Sequence, residues 1–200
     1  SQSFFKERLN ASFGLRMDGS NYSKTMANPL NQLSPSLSLN FRINESLALN
    51  ANVSSFHQIP AYTILGYRNS LGELVNKQND IQYIRADHFV IGAEYRTKAS
   101  SRFTLEGFFK NYDRYPFSLK DSICLANQGS DFGVVGNEAV KSMSQGRTYG
   151  GEFLYQQKLY KGFYAVVAYT YVISEFKNKN DEYVPTAWDS RHIVSLTGGK

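Results

Sequence analysis

The sequence is short of the residues that mark several familiar protein classes. Its one cysteine, Cys124, excludes an intramolecular disulfide framework and a zinc site built from thiolates alone. No run of eighteen apolar residues occurs and the mean hydropathy is -0.41, so nothing here crosses a bilayer as a helix. Helical periodicity is nearly missing too: no segment keeps apolar residues at i, i+3, i+4 and i+7 between caps. No basic–apolar–small leader pattern precedes SQSFFKERLN, which decides little, because a mature exported chain has lost it. The net charge of +5 is spread along the chain without Lys/Arg clusters, which argues against nucleic acid as a partner.

Catalytic and metal chemistry find little support. His57, His88 and His192 stand far apart and show no metal-ligand spacing, so neither a metal nor a cofactor is expected. Asp87 and His88 are neighbours on an alternating segment, where adjacent side chains point to opposite faces and cannot act as orienter and base. Asp113, Asp121 and Asp131 are the carboxylates a rim hydrolase would draw on, but no motif places them together. The protein is therefore not expected to be an enzyme.

What the sequence does have is aromatic content, fourteen Tyr and fourteen Phe against one Trp, and a two-residue period. Phe5, Glu7, Leu9, Ala11, Phe13, Leu15 and Met17 share one row. Further rows run through Leu37–Ile43, Leu47–Val53, Phe89–Tyr95, Phe103–Phe109, Tyr149–Tyr155 and Phe163–Ile173, with a less clear last one over Arg191–Gly198. About eight strands of roughly ten residues result, long for a globular strand and suited to a tilted membrane strand. Short connections at Asn44–Ser46, Thr97–Arg102 and Lys158–Gly162 alternate with long ones at Asp18–Leu33, His57–Arg85, Tyr112–Gly146 and Phe176–Asp189. All the long loops then fall at one end, as in outer-membrane barrels.

The segment Ser34–Phe56 permits a register prediction. Pairing Ile43 with Leu47 around Asn44–Ser46 sets Phe41 opposite Leu49, Leu39 opposite Ala51 and Leu37 opposite Val53. The reverse face then pairs Arg42 with Ala48, Asn40 with Asn50, Ser38 with Asn52 and Ser36 with Ser54, a polar ladder suited to a wet lumen. Aromatics end the apolar rows. Phe5, Phe41, Tyr95, Phe103, Tyr155 and Phe163 mark the short-turn end; Phe89, Phe109, Tyr149, Tyr171 and Trp188 mark the long-loop end. Glu7, the one charge in an apolar row, falls at the short-turn end, where exposure costs about 0–1 kcal/mol. Length, paired girdles and loop asymmetry favour a membrane barrel over a soluble sandwich, whose strands are shorter and loops more even. The fold class is all-β, an antiparallel meander within a transmembrane barrel.

Four elements also carry a family resemblance: FHQIPAYTIL (Phe56–Leu65), FTLEGFFKNYDRYP (Phe103–Pro116), GRTYGGEFLYQQKL (Gly146–Leu159) and AWDSRHIVSL (Ala187–Leu196). In this order they resemble the distal barrel of TonB-dependent outer-membrane receptors, especially those of Bacteroidetes. The resemblance covers nearly the whole chain, so residues 1–200 are expected to be part of such a barrel, without its plug or its C-terminal aromatic strand. It implies an intact parent of roughly twenty-two strands, with a plug inside, importing a scarce ligand (a siderophore, cobalamin, a glycan or similar) with energy transduced by TonB. The expected partners are outer-membrane lipid, plug, TonB, a surface lipoprotein and the nutrient ligand, in the outer membrane of a Gram-negative bacterium.

For ligand contact, the long loops offer Tyr62, Tyr67, Arg68, Tyr83, Tyr115 and Trp188. Aromatic and Arg side chains at a concave rim suit sugar stacking or capture of an anionic chelate; packing of the loops on one another accounts for them equally well. Arg191 and Asp189, on the same side of their strand, are expected to form an ion pair. A self-contained small barrel with an adhesive or structural role is the alternative, followed by a barrel hydrolase.

Overall fold

The computed structural model of the protein describes residues 2–4, 8–98, 100–129 and 135–200. Its strands follow one another in an antiparallel meander: β1 (Gln2–Phe4), β2 (Leu9–Met17), β3 (Leu33–Arg42), β4 (Leu47–Gln58), β5 (Ile84–Arg96), β6 (Ser101–Ser118), β7 (Val140–Tyr160), β8 (Phe163–Lys177) and β10 (Arg191–Gly199). A three-residue β9 (Tyr183–Pro185) pairs with the outer end of β8, off this path. Short helices α1 (Lys24–Ala27), α2 (Tyr62–Gly66), α3 (Val75–Gln78) and α4 (Leu125–Gln128) lie in the long loops. Among the described residues no helix is long and apolar enough to cross a membrane.

The predicted register is the observed one: β3 and β4 pair Arg42 with Ala48, Phe41 with Leu49 and so on to Ser36 with Ser54. Asn44 sets it, because its side-chain oxygen accepts from the amides of Ser46 and Leu47, both at 2.9 Å, and so closes a three-residue turn. The tighter β7–β8 turn uses Lys161 (φ 49°) and Gly162 (φ 86°), two left-handed residues matched to strand twist. Strand pairing reaches Tyr160 there, so the turn is shorter than Lys158–Gly162.

At the start of the chain the described part of the row Phe5–Met17 forms the strand Leu9–Met17, and Gln2–Phe4 is a separate short strand paired with Leu9–Ala11, which the sequence did not announce. Between Phe4 and Leu9 the sequence has no Gly, Pro or Asn to mark a reversal, so period alone does not locate it. Phe5, expected in the short-turn girdle, and Glu7 lie outside the described residues.

The two faces differ as their composition requires. The apolar row stands exposed: Phe13 is 71% accessible, Ile91 70% and Leu196 70%. Across this face the aromatics form two chains. Tyr95, Phe103 and Tyr155 lie at the short-turn end, with ring centroids 6.4 and 4.9 Å apart; Phe89, Phe109 and Tyr149 lie at the other, at 6.5 and 6.4 Å. Between them runs the band of Leu, Ile and Val that lipid covers in a barrel. On the inner face Asn40 donates to Asn50 at 2.5 Å and Asn52 donates to Ser38 at 2.6 Å, so the polar ladder bonds to itself across strands.

The buried core lies neither within nor behind the sheet but at its long-loop end. Ile64, Leu65, Ile81, Leu125 and Val140 pack together with Tyr22, Ile59 and Tyr115, beside a smaller cluster of Cys124, Ala126 and Phe176. The loops are therefore a folded cap. Asn76, fully buried, ties it: its amide donates to the carbonyls of Ile64 (2.7 Å) and Glu138 (2.9 Å) and accepts from the amide of Val140 (2.8 Å). The Tyr22 hydroxyl donates to Leu65 carbonyl at 2.8 Å, and Thr25 donates to Asp80, joining the first loop to the second.

Candidate functional site

Beneath this cap, on the inner face, lies a cavity of about 1010 Å³. Its wall is an arc of aromatics: Phe56 and His88 from β4 and β5, Tyr112 and Tyr115 from β6, Phe176 from β8, and Trp188 before β10. Phe176 is the hub, 5.3 Å from Tyr112, 4.7 Å from Tyr115 and 6.5 Å from Trp188 between ring centroids. Phe56 and His88 form a second pair at 4.9 Å. Among the described residues, no Lys, Arg, Asp or Glu lines the cavity. A wall of this kind offers stacking surfaces and exclusion of water, with Gln58, His88 and Thr148 as its polar points.

Local backbone chemistry places each ring. Phe56, Tyr112 and Phe176 occupy the inner rows of their strands, where the residues nearer the turns are mostly polar or small. Tyr115 reaches the same face by a different route. Register shifts between β6 and β7 flank it, and Arg114 adopts φ 57°, so a bulge turns Tyr115 inward from an odd-numbered position. Gly146, opposite Phe176 on β7, makes room for the hub: a Cβ there would stand 2.4 Å from the ring. Trp188 Nε1 donates to Ser174 Oγ at 3.2 Å. Its loop is anchored by Asp189, which accepts from the Ser174 amide at 3.0 Å and pairs with Arg191 at 2.8 Å, the ion pair the sequence suggested. Trp188 is thus a cavity residue and not part of the outer girdle.

Of the six loop residues singled out from sequence, the cavity brings together Tyr115 and Trp188. Tyr62 opens α2 and is 82% exposed. Arg68 donates to the Gly72 carbonyl at 2.6 Å and stays within its own loop, next to Tyr67. Tyr83 is buried beneath the cap. Phe56, His88, Tyr112 and Phe176 were missed, although a signal existed: an aromatic ring on the polar row, at the loop end of each strand.

The remaining titratable groups do not assemble into catalytic or metal sites. Among the described residues no group of three His, Cys, Asp or Glu side chains is placed to hold a metal. His57 lies 3.0 Å from Ser34 Oγ, a spacing that suits a nucleophile and its base. Arg114 occupies the other ring nitrogen at 2.9 Å, however, and a guanidinium only donates. The neutral ring therefore carries its proton on Nδ1, which donates to Ser34, and has no lone pair left to activate it. Asp113 accepts from Gln145 and Asp121 from Gln128, in separate contacts; Asp131 lies outside the described residues. Cys124 is buried, and burial raises its thiol above the ordinary range, leaving it unreactive.

Comparison with known proteins gives a consistent picture. The family described as TonB dependent receptor-like, beta-barrel, matches residues 2–199. Among solved structures, the alcaligin outer-membrane receptor FauA of Bordetella pertussis superposes with a TM-score of 0.55 at 14% identity, over 84% of this chain and 26% of that one. The ferripyoverdine receptor of the outer membrane of Pseudomonas aeruginosa, bound to ferripyoverdine, gives 0.56 at 15%, over 83% and 20%. The copper transporter OprC gives 0.52 at 16%, over 76% and 22%. The chain thus spans about a quarter or less of these proteins. No curated protein matches it.

Proposed function

The chain belongs to the TonB-dependent receptor-like β-barrel family, and from that premise we propose that it is a stretch of barrel wall in a receptor that captures a scarce ligand and imports it with TonB-transduced energy. The family places it in the outer membrane of a Gram-negative bacterium and is one of transporters, not enzymes. The observation that carries the reading is the aromatic cavity on the inner face, at the end where the long loops open to the outside. A plug domain occupies the lumen of the intact receptor in this proposal, and TonB and a surface lipoprotein are its partners.

The aromatic arc of Phe56, Tyr112, Tyr115, Phe176 and Trp188 favours a ligand that offers flat or apolar surface, a compact organic molecule or its metal chelate. Ferripyoverdine, bound in the solved Pseudomonas receptor, supports that class without fixing the compound. Replacing Tyr115 and Trp188 by Ala in the intact receptor tests the site. Each loses a stacking contact of about 0.5–1.5 kcal/mol beyond area burial, so the pair lowers affinity by at least about fivefold. Calorimetry or uptake of labelled ligand reads the change. Unchanged affinity in the double variant places capture elsewhere on the loops.

A further inference from the structure

The positive charge that looks evenly spread along the sequence is gathered by the fold at one end of the sheet. Arg8, Arg42, Lys98, Lys158, Lys161 and Lys200 stand at the short turns and flanking strand ends, all exposed. Among the described residues none of them has a carboxylate within ion-pairing distance. Arg96 and Arg102 join them there and share one partner, Glu94, at 2.6 and 3.7 Å. Glu45 is the other acidic side chain at this end among the described residues. Eight cations thus meet two carboxylates, an excess no smaller than the net +5 of the whole chain. At the long-loop end Arg16, Arg85, Arg147 and Arg191 are instead paired, with Asp18, Asp87, Glu175 and Asp189.

The position of these cations matters as much as their number. Lys98 and Lys158 follow Tyr95 and Tyr155 of the lower girdle by three residues, about 10 Å along a strand, and Arg42 follows Phe41 directly. Lys161 Nζ lies 5.4 Å from the centre of the Tyr160 ring, and Tyr160, Phe163 and Tyr164 are themselves exposed. Aromatic rings on the lipid-facing wall mark the depth of the headgroups. Because barrel strands tilt by roughly 40°, about 10 Å along a strand is about 8 Å in depth, so these unpaired ammonium and guanidinium groups lie about one Debye length from that layer.

We propose that the short-turn end of this barrel wall binds anionic phospholipid headgroups, of the phosphatidylglycerol kind, in the leaflet facing the periplasm. The phosphate is the recognised group. The exposed rings seat the glycerol and upper acyl region, and each turn cation contributes attraction that falls off with salt. This rests on the membrane location alone and is independent of which ligand is imported. Its consequence is orientation: the wall is held at fixed depth from its inner side, leaving the outer cap free of that tether.

The intact receptor, purified in neutral detergent, is titrated with short-chain phosphatidylglycerol and with phosphatidylcholine at low and high salt. Phosphatidylglycerol binds preferentially at low salt, and the preference shrinks as salt rises. The variant with Arg42→Gln, Lys98→Gln, Lys158→Gln and Lys161→Gln loses at least about tenfold of that preference. A control with Lys24→Gln, Lys77→Gln, Lys120→Gln and Lys179→Gln, exposed on the long loops, keeps it. Equal binding of the two lipids by the unmodified receptor overturns the proposal whether or not the variants fold. An equal loss in the control overturns it too. So does a turn variant that keeps its lipid preference yet no longer binds isolated peptidoglycan sacculi, which identifies an anionic polymer as the partner instead.

Discussion

Two residues decide how well the cavity is formed, and neither touches a ligand in the arrangement described. Gly146 faces the Phe176 ring so closely that one added methyl overlaps it at 2.4 Å. Phe176 is 1% exposed and hemmed in by Tyr112 and Tyr115, so it has nowhere to retreat except into the cavity. Gly146→Ala is expected to cost about 1–3 kcal/mol by overpacking and to weaken ligand binding without removing any lining side chain. A crystal structure of the variant with Phe176 unmoved contradicts this. Asn76 acts on the cap. Truncation to Ala strands the carbonyls of Ile64 and Glu138 and the amide of Val140 in a dry interior, at about 1–3 kcal/mol for each group that finds no water. Hydrogen exchange over residues 59–83 and 135–146 then accelerates, whereas exchange in β3 and β4 stays as it was.

At the scale of elements, strands were legible in the sequence and the cap was not. Period two places β3, β4, β5 and β8 and fixes the β3–β4 register, because a one-residue slip carries every Leu to the wet side. The same rule is blind where neither face is lipid. β6 and β7 run to Ser118 and back to Val140, well past the last clear alternation, and their bulge reverses the parity that would have sent Tyr115 outward. The short helices escape notice because four or five residues give no period, and such short helices are held by the packing and hydrogen bonds of the cap around them. The join between the first two long loops shows how such packing is tuned. Hydrogen bonding from Thr25 holds the Asp80 carboxyl below its usual range, so the ionised form is the one that binds. The contact is complete above the unfolded-state value near 4, weakens below it, and is lost as pH falls through the lower folded-state value. Hydrogen exchange in α1 is accordingly expected to quicken only in acid well below neutrality. In Asp80→Asn, which tolerates the left-handed φ of 49°, the acid dependence disappears. Persistence of the same acid response in that variant assigns it to another group.

For the whole molecule, the arrangement asks for something inside. Glu106 on β6 and Glu152 on β7 are direct register partners on the inner face, two carboxylates side by side with no cation paired to either among the described residues. Like charges so placed destabilise a strand pair. Gly92 lies on the other side of Glu106, where even a Cβ would stand 2.6 Å from its side chain, so the sheet reserves space for this carboxylate as well as tolerating its charge. A plug filling the lumen, as proposed above, supplies the missing cation. The argument gives opposite signs for two preparations of the same double variant, Glu106→Gln with Glu152→Gln. In barrels expressed without a plug, removing the repulsion raises the thermal midpoint. In the intact receptor it removes the charge that docks the plug, and protease accessibility of the plug increases. A double variant that stabilises both preparations alike means the carboxylates face only water, and the plug is held by other residues.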